Sequence, residues 1–383
     1  MIYYLSQALL TWAKNSGNAD LLDALSFLRL FRYITVRSAG AALTALALSW
    51  WLGPMVIRWL KRLKFGQHYT DKAGETGLLA RGASKKGTPT MGGFLIVAVM
   101  DVTALLWAQW NILLLLTLLS VLVLSGLGFY DDYAKITQQS SKGTAAHVKL
   151  WVQFGLAAFI AFYLWSVPET EKLVTEVMVP FVKYPVATGV IGLVLGSLLT
   201  VVTIVGSSNA VNLTDGLDGL AIGCTLIVSF VFAVLTYVAG NVRAAAYLQV
   251  HYVPGAGELT VFVAAMIGAG LGFLWYNCHP AEVFMGDTGS LALGGLLGYI
   301  AIVIRQELLL LLIGGIFVLE AVSVLLQVSW FKYTRIRFGE GRRIFLRAPI
   351  HHHFQKKGWE ETQVVVRFWL IGAMLAAIAL ASI

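Results

Sequence analysis

Charge is scarce in this sequence. Only 13% of the 383 residues are Asp, Glu, Lys or Arg, whereas soluble domains carry about 25%. A chain of this length with so little charge does not cover a water-facing surface, which excludes a soluble enzyme and a disordered protein. Apolar residues make up 58% and the mean hydropathy is +0.76. The composition therefore predicts a membrane protein with many spans.

Cysteine is scarce as well. The two cysteines, Cys224 and Cys278, lie far apart in or beside apolar segments. We therefore expect neither a disulfide framework nor a cysteine metal site. Internal repeats are missing, which excludes a solenoid or a fibrous protein. The N-terminus lacks the pattern of a removable signal peptide, so none is expected.

Long apolar stretches dominate what is present. A helix needs about 20 apolar residues to cross about 30 Å of hydrocarbon. Ten stretches meet this need: 37–60, 91–110, 112–130, 148–166, 185–206, 217–239, 259–277, 288–304, 307–330 and 364–382. They do not alternate, which favours helices over barrel strands. We predict an all-α polytopic integral membrane protein with about ten transmembrane helices, built as one domain over residues 1–383. Residues 20–34 predict a short interfacial helix.

The basic residues indicate which side faces the cytoplasm. Eighteen of the 28 Lys and Arg residues lie in the segments 61–86, 131–149 and 331–363. The positive-inside rule places these segments in the cytoplasm and both termini in the periplasm. The cytoplasmic loops are then predicted at 61–90, 131–149, 207–219, 278–290 and 331–363. The net charge of +8 is mainly this topology signal, with attraction for anionic substrates and lipid headgroups, so we expect no nucleic-acid partner.

The first of three acidic clusters lies at the end of the third span. Asp131 and Asp132 are adjacent, and Lys135 follows one helical turn later. Carboxylates at a membrane boundary are costly unless they are paired or bound to a metal. A divalent cation such as Mg²⁺ offsets their repulsion and shares its ligands with substrate phosphates. A solvated helix end with an i,i+4 ion pair is the alternative.

The second cluster holds Asn209, Asn212, Asp215 and Asp218. Asp215 and the preceding Thr214 are candidate N-caps for the sixth span. Capping accounts for one of these residues, but it does not require two Asn and two Asp in ten positions. The side chains suit hydroxyls, amides or a metal, and the backbone amides of a helix N-terminus suit anions.

The third cluster places Asp287 in a Gly-Asp-Thr-Gly-Ser stretch directly before the eighth span. Capping by Thr288 or Ser290 is the alternative here. A third carboxylate on the same side of the membrane favours a metal site. Phe284 precedes Asp287 by three residues and fits either a nucleobase stack or an anchor in the membrane interface.

Three consecutive histidines, residues 351–353, lie in the last predicted cytoplasmic loop. Consecutive side chains on one helix point apart, so a zinc site is not expected. Hydrogen bonds from histidines and arginines to phosphate oxygens suit this segment better.

Five motifs in fixed order resemble the polyprenyl-phosphate N-acetylhexosamine-1-phosphate transferases over nearly the whole chain. The motifs are Thr88-Pro89-Thr90-Met91-Gly92-Gly93, the Asp131-Asp132 pair, and segments 209–219, 284–290 and 347–354. The histidine triplet with Phe354, then Lys357-Gly358-Trp359 and Val365-Val366-Arg367-Phe368-Trp369, is similar to the branch of the family that transfers phospho-muramoyl-pentapeptide.

The resemblance implies a ten-helix, usually dimeric enzyme of the bacterial inner membrane, with an active-site cleft on the cytoplasmic side. It implies Mg²⁺-dependent transfer of phospho-MurNAc-pentapeptide from UDP-MurNAc-pentapeptide to undecaprenyl phosphate in the lipid bilayer, with lipid I and UMP as products. A direct displacement and a two-step route through an aspartyl-phosphate both stay open.

The resemblance also implies roles for individual residues. Asp287 matches the Mg²⁺ ligand, and Asp131 and Asp132 match the essential aspartate pair, so these three are the predicted catalytic residues. The predicted substrate-binding residues are Lys135, Asn212, Asp215, Asp218, Asn277, Phe284, Gln327, His352 and His353. Phe284 is then expected near the uracil, and Gln327 is the weakest match.

Two other functions stay open. A sibling transferase that uses UDP-GlcNAc shares the acidic motifs and differs in the histidine loop. A secondary transporter also has many spans, but its polar groups usually lie near the bilayer midplane in repeated halves. Here no halves repeat, and Asp101 and Glu320 are the main charged residues inside the spans.

Overall fold

The computed structural model describes residues 1–63, 87–137, 143–180, 182 and 184–382. In chain order its α-helices are α1 (Ile2–Asn15), α2 (Ala19–Ala24), α3 (Ile34–Arg62), α4 (Gly93–Trp107), α5 (Ile112–Thr137), α6 (Ala146–Ser166), α7 (Lys172–Thr175), α8 (Gly189–Thr214), α9 (Leu220–Ala239), α10 (Val242–Tyr247), α11 (Gly257–Asn277), α12 (Gly286–Val303), α13 (Leu310–Ile313), α14 (Gly315–Phe338), α15 (Ile350–Lys356) and α16 (Glu361–Ala381).

Nine helices in the described part of the chain are long and apolar enough to cross a membrane: α3, α5, α6, α8, α9, α11, α12, α14 and α16. The span predicted at 91–110 is the apolar helix α4, which has 15 residues. At about 1.5 Å per residue, it reaches about 22 Å, short of the hydrocarbon thickness of about 30 Å. The prediction of an all-α polytopic membrane protein is confirmed.

The N-terminal region contains more helix than predicted. The single interfacial helix expected at 20–34 is instead α2 followed by a 3₁₀ helix, Ser26–Arg32. The side chain of Asn18 caps α2 by accepting a hydrogen bond from the Leu21 amide at 3.2 Å. Helix α1 was not predicted, because polar residues such as Gln7 interrupt its short apolar run.

Several predicted loops are shorter than expected because helices continue into them. Helix α5 runs through the first part of 131–149 and ends at Thr137, and α8 runs through most of 207–219 and ends at Thr214. The predicted loop 278–290 contains the start of α12, and 331–363 contains the end of α14 and all of α15. Most of the predicted loop 61–90 lies outside the described residues.

Helices α11 and α12 form the centre of the bundle. In their most apolar windows, 78% and 89% of the residues are buried. Helix α11 packs against α3 and α9, and α12 packs against α5 and α8. The central position of α12 brings its N-terminal turn, which carries Asp287, against the C-terminal ends of α5 and α8.

Gly128 allows α5 to approach the start of α12 closely. A Cβ atom at this position would overlap the main-chain carbonyl of Asp287. Only a residue without a side chain permits this approach of two backbones. Asp131 and Asp132 follow within one turn of Gly128, so the contact holds them beside Asp287.

Candidate functional site

Three carboxylates from distant parts of the sequence meet at one end of the bundle. Asp131 and Asp132 come from α5, and Asp287 comes from the first turn of α12. One oxygen atom of each lies within 4.8 Å of the others. Asp131 and Asp132 are buried, whereas 13% of the Asp287 side chain is exposed. The first and third predicted clusters therefore form a single group, which we call the carboxylate cluster.

Two lysines neutralise part of this charge. Nζ of Lys135 lies 2.6 Å from Oδ2 of Asp131 and 3.1 Å from Oδ2 of Asp287. Nζ of Lys149 lies 2.9 Å and 2.7 Å from the same two oxygens. The expected i,i+4 pair between Asp131 and Lys135 is present, but it belongs to a larger network. Three carboxylates therefore face two ammonium groups.

Lys149 was not predicted as a site residue. It lies in the first turn of α6, where the sequence shows only a basic residue at the start of an apolar span. The positive charge of Lys149 predicts only that this segment faces the cytoplasm, and it does not indicate which carboxylates the side chain contacts.

Neutral donors hold the adjacent aspartates in place. Oδ2 of Asp132 accepts hydrogen bonds from the amide of Thr288 at 3.0 Å and from its hydroxyl at 2.9 Å. Oδ1 of Asp131 accepts a hydrogen bond from the amide of Thr144 at 2.7 Å. The capping alternative for Thr288 is wrong, because the N-cap position of α12 is Met285 and no side chain caps it. Thr288 instead links α12 to α5.

Asn212 connects α8 to the carboxylate cluster. Its Nδ2 donates hydrogen bonds to Oδ1 of Asp287 at 2.9 Å and to Oγ of Ser290 at 2.8 Å. Asn212 lies on α8 rather than in a loop, so its side chain has a fixed direction. By contrast, Nδ2 of Asn209, one turn earlier, donates to Oε1 of Gln153 at 2.8 Å and lies away from the cluster.

Asp215 follows the last residue of α8 and lies close to the cluster. Burial raises the pKa of Asp215 to about 8, and the negative charges of Asp287 and Asp132 act in the same direction. A bound cation would favour its ionised form.

The N-cap predicted for α9 is wrong. The residue at that position is Gly219, not Thr214 or Asp215, and it makes no side-chain cap hydrogen bond. Its φ of 78° lies in the left-handed region that favours glycine. Thr214 is the last residue of α8, so the polar residues here end one helix rather than begin the next.

Asp218 belongs to a neighbouring polar group. Its Oδ2 accepts a hydrogen bond from the amide of Ala281 at 3.2 Å and lies 3.1 Å from Nδ1 of His279. The amide of Asp218 donates to Oε1 of Glu361 at 3.0 Å. Asp218, His279 and Glu361 each offer one oxygen or nitrogen atom within 4.8 Å of the others. Neither His279 nor Glu361 was predicted.

Asn277, the last residue of α11, links two loops next to Asp218. Its Nδ2 donates a hydrogen bond to the carbonyl of Val283 at 2.8 Å, and its Oδ1 accepts one from the amide of Gly219 at 3.1 Å. The buried amide side chain therefore fixes the 278–286 loop against the start of α9.

The Thr88–Gly93 motif pairs with the loop that carries Phe284. The Phe284 amide donates to the carbonyl of Pro89, and the amide of Gly92 donates to the carbonyl of Phe284, both at 2.8 Å. The side chain of Phe284 is partly exposed. Its predicted place near the uracil stays a prediction, because main-chain contacts do not distinguish stacking from anchoring.

The predicted residues of the last loop are engaged with the protein itself. Oε1 of Gln327, on α14, accepts hydrogen bonds from the amides of Ile344 at 3.1 Å and Phe345 at 2.9 Å. Nδ1 of His353 accepts one from the amide of Leu346 at 3.1 Å. Gln327 and His353 thus hold the segment before α15, and their contacts with substrate stay predictions.

His352 lies on the same short helix, with Nδ1 2.9 Å from Oε1 of Gln355. His351 behaves differently, because it is fully buried and faces α14. The expectation that consecutive helical side chains point apart is wrong for two of the three, because the ring centroids of His351 and His352 lie only 4.2 Å apart.

The chemistry of the carboxylate cluster fits Mg²⁺. The ion prefers oxygen ligands and is usually held by one or two carboxylates together with water and substrate phosphates. Asp131, Asp132 and Asp287 supply carboxylate oxygens within 4.8 Å of one another. Their negative charge exceeds that of the two lysines, which favours a further cation.

Comparison with known proteins places this site in a family. Residues 114–305, which contain the whole carboxylate cluster, match the family model described as glycosyl transferase family 4. Three curated relatives are each named phospho-N-acetylmuramoyl-pentapeptide-transferase and are 48% identical to this chain. They come from Methylacidiphilum infernorum (360 residues, 94% of this chain and 96% of the relative), Opitutus terrae (365 residues, 94% and 97%) and Desulfotalea psychrophila (364 residues, 94% and 96%).

The chain belongs to the phospho-N-acetylmuramoyl-pentapeptide-transferase family, within glycosyl transferase family 4. The predicted family resemblance is confirmed, and the chain is a multi-pass bacterial membrane protein. The names of the three relatives favour the muramoyl branch over the UDP-GlcNAc transferase and the transporter.

Proposed function

We propose that this protein transfers phospho-MurNAc-pentapeptide from UDP-MurNAc-pentapeptide to undecaprenyl phosphate, with lipid I and UMP as products. The observation that carries the proposal is the carboxylate cluster with its two lysines at one end of a membrane bundle. A lipid-borne phosphate and a water-soluble nucleotide sugar can meet only at such a boundary. The membership of the family supports the same reaction.

The reaction is a phosphoryl exchange. An oxygen of the lipid phosphate attacks the sugar-linked phosphorus of the donor and forms a new P–O bond. The bond from that phosphorus to the bridging oxygen breaks, and UMP leaves with the bridging oxygen and the electron pair. The second pKa of a phosphate monoester is near 6. The attacking group is therefore largely ionised at neutral pH, and a strong general base is not required.

The residues that would hold Mg²⁺ are Asp287, Asp131 and Asp132, and the bound ion supplies charge neutralisation to a pyrophosphate. Lys135 and Lys149 lie within reach of the same carboxylates. We propose that these ammonium groups also donate hydrogen bonds to phosphate oxygens of the donor. These hydrogen bonds become stronger as negative charge develops on the leaving phosphate.

A direct displacement fits the site better than an aspartyl-phosphate route. Oδ2 of Asp132 accepts two hydrogen bonds from Thr288, and the oxygens of Asp131 face the Thr144 amide and both lysines. Hydrogen bonds and ion pairs lower the nucleophilicity of these oxygens, so we favour the direct displacement. We expect no covalent adduct when the protein is incubated with the donor alone, and trapping of one by mass spectrometry would overturn the direct route.

We assign donor binding to residues around the cluster. Asn212 lies nearest to the pyrophosphate, because it bonds Asp287 directly. Asp215, Asp218, Asn277 and Phe284 surround the nucleoside. Gln327, His352 and His353 border the sugar and peptide from the side of α15.

The test of the function is a donor comparison with purified protein in detergent. UMP release is measured with undecaprenyl phosphate and Mg²⁺, using UDP-MurNAc-pentapeptide in one arm and UDP-GlcNAc in the other. We expect release with the muramoyl donor only. Release with UDP-GlcNAc and none with UDP-MurNAc-pentapeptide would overturn the proposal.

We also propose that the carboxylate cluster faces the cytoplasm and that both termini are periplasmic. Cys278 offers a test without engineering, because it is exposed directly after α11 whereas Cys224 is buried. A membrane-impermeant maleimide should label Cys278 in inverted vesicles and not in intact spheroplasts. The variant Cys278→Ser is the control for labelling elsewhere, and labelling of spheroplasts would reverse the orientation.

A homodimer is the proposed assembly, on the basis of the family resemblance alone. Light scattering in detergent should give the mass of two chains after correction for the micelle. The mass of one chain would contradict a stable dimer.

A further inference from the structure

A buried polar contact lies behind the site, between α14 and α15. Nδ1 of His351 is 3.1 Å from Oε2 of Glu320, and both side chains are fully buried. Among the described residues, neither side chain has a hydrogen-bond partner, so this ion-pair contact is the polar contact that each of them makes. A buried carboxylate inside a membrane bundle is costly unless it is paired, and it usually has a function.

The imidazole of His351 packs directly against the chain between Asp215 and Asp218. A Cβ atom added to Gly216 would overlap Nε2 and Cε1 of His351. His351 therefore contacts Glu320 on one edge and the Gly216 backbone on the other. The pair connects α14 to the segment that carries two of the proposed donor-binding aspartates.

This arrangement fixes the position of the 215–218 segment. Gly216 follows the end of α8, and Gly219 begins α9 in a left-handed conformation, so no helical hydrogen bonds run continuously through the segment. The imidazole of His351, which contacts Glu320, packs against this segment and limits its movement. Without that contact, Asp215 would lose part of its fixed position relative to Asp287, whereas Asp218 keeps its own hydrogen bonds.

We infer that Glu320 and His351 are positioning residues that set the affinity of the site for the donor nucleotide by holding the 215–218 segment. The inference rests on the proposed function. The pair does not touch the carboxylate cluster, so its loss should weaken donor binding more than it slows the chemical step.

The first test compares Glu320→Ala, His351→Asn and the double variant with the wild-type protein. Each single variant should raise the KM for UDP-MurNAc-pentapeptide about tenfold and leave the KM for undecaprenyl phosphate within about twofold. Because the two residues act as a pair, the double variant should be no worse than the poorer single variant. Ser329→Ala, an exposed position on α14, is the matched control and should behave like wild type.

Gly216→Ala is an independent test that leaves the pair intact. The added methyl group should push the segment away from His351 and raise the donor KM by a similar factor. In Gly216→Ala/His351→Asn, the smaller side chain should relieve the overlap, so the donor KM should be lower than in Gly216→Ala alone.

The outcomes separate three cases. The inference is overturned if the donor KM of the variants is unchanged, or if the two single effects multiply in the double variant. It is also overturned if both KM values rise equally and the melting temperature falls. If Glu320→Ala and His351→Asn do not yield folded protein, the single variant Gly216→Ala decides, and an unchanged donor KM in it would overturn the inference. Failure of the wild-type protein to use this donor is a failure of the proposed function and not of the positioning role.

Discussion

Two groups of buried charges lie at opposite ends of the bundle, and they are built differently. At the start of α11, Arg37 bonds Glu258 through both guanidinium ends, at 2.5 Å and 2.8 Å. The amide of Gln109 donates to the same carboxylate at 2.7 Å. One positive charge meets one negative charge, and both side chains are buried. This group is closed and balanced.

The carboxylate cluster is neither closed nor balanced. Three carboxylates share two ammonium groups, and the side chains of Lys135 and Lys149 are 27% and 18% exposed. A buried pair with matched charge holds helices together, whereas an excess of buried negative charge beside partly exposed lysines suits an incoming cation and phosphates. Charge balance and exposure to solvent, more than burial, therefore distinguish a functional site from an ion pair that only stabilises the fold.

The largest effect is expected for Asp287→Asn. The change removes a proposed metal ligand and one partner of both lysines, so turnover should fall by about a thousandfold, at the upper end for a single electrostatic group. The melting temperature in detergent should change little, because an amide of the same shape remains. Mg²⁺-dependent turnover within tenfold of wild type would contradict the metal role, and Asp23→Asn on exposed α2 is the control.

Breaking the balanced pair should produce the opposite pattern. Arg37→Met leaves Glu258 buried without its guanidinium, which should lower the free energy of unfolding by about 3–5 kcal/mol. The turnover of the remaining folded protein should match wild type. Thermal unfolding and activity per folded molecule check this. A selective loss of turnover without loss of stability would show that the pair belongs to the site.

Lys149→Met sharpens the comparison inside the cluster. Loss of a charge-assisted hydrogen bond typically costs about 1.5–3 kcal/mol, so kcat/KM should fall about 10- to 100-fold. Lys14→Met, on the exposed side of α1, is the matched control for loss of one positive charge. Equal activity of the two variants would mean that Lys149 contributes to membrane orientation and has no role in the site.

Phe284→Ala should have the smallest effect. Stacking of a base on an aromatic ring contributes about 1–3 kcal/mol, so the donor KM should rise about tenfold with kcat nearly unchanged. Phe159→Ala, an exposed phenylalanine on α6, is the control. An unchanged donor KM would favour an anchor in the membrane interface.

Much of the fold follows from the sequence, because length and apolar composition determine which segments can cross a membrane. All ten predicted apolar stretches contain helix, but the span predicted at 307–330 is divided at Gly314 into α13 and α14, and α14 continues to Phe338. The ends of the helices are less predictable: α5 and α8 continue past their apolar parts, since polar residues such as Asp131 and Asn212 are compatible with a helix when partners from other helices bind them. The short helix α1 has too weak a pattern to be recognised.

The carboxylates of the site were predictable from their unusual place in a chain with little charge, and the family resemblance added their roles. Their partners were predictable only in part, since Lys135 and Asn212 were predicted as site residues and other partners were not. Lys149 and Thr288 contact the cluster only because α12 lies at the centre of the bundle, and such contacts between distant segments leave no local pattern. The same is true of Glu320 and His351, which are 31 residues apart and meet through the packing of α14 and α15.

The central claim is that the unbalanced carboxylate cluster binds a divalent cation. The most direct measurement is a Mn²⁺ titration of the purified protein, followed by electron paramagnetic resonance, with and without UDP as a pyrophosphate probe. We predict that wild-type protein binds Mn²⁺, that UDP strengthens binding, and that Asp287→Asn loses it. The variant Arg37→Met/Glu258→Gln, which removes the balanced pair at the other end, should bind like wild type. Equal Mn²⁺ binding by wild type and Asp287→Asn would contradict the account.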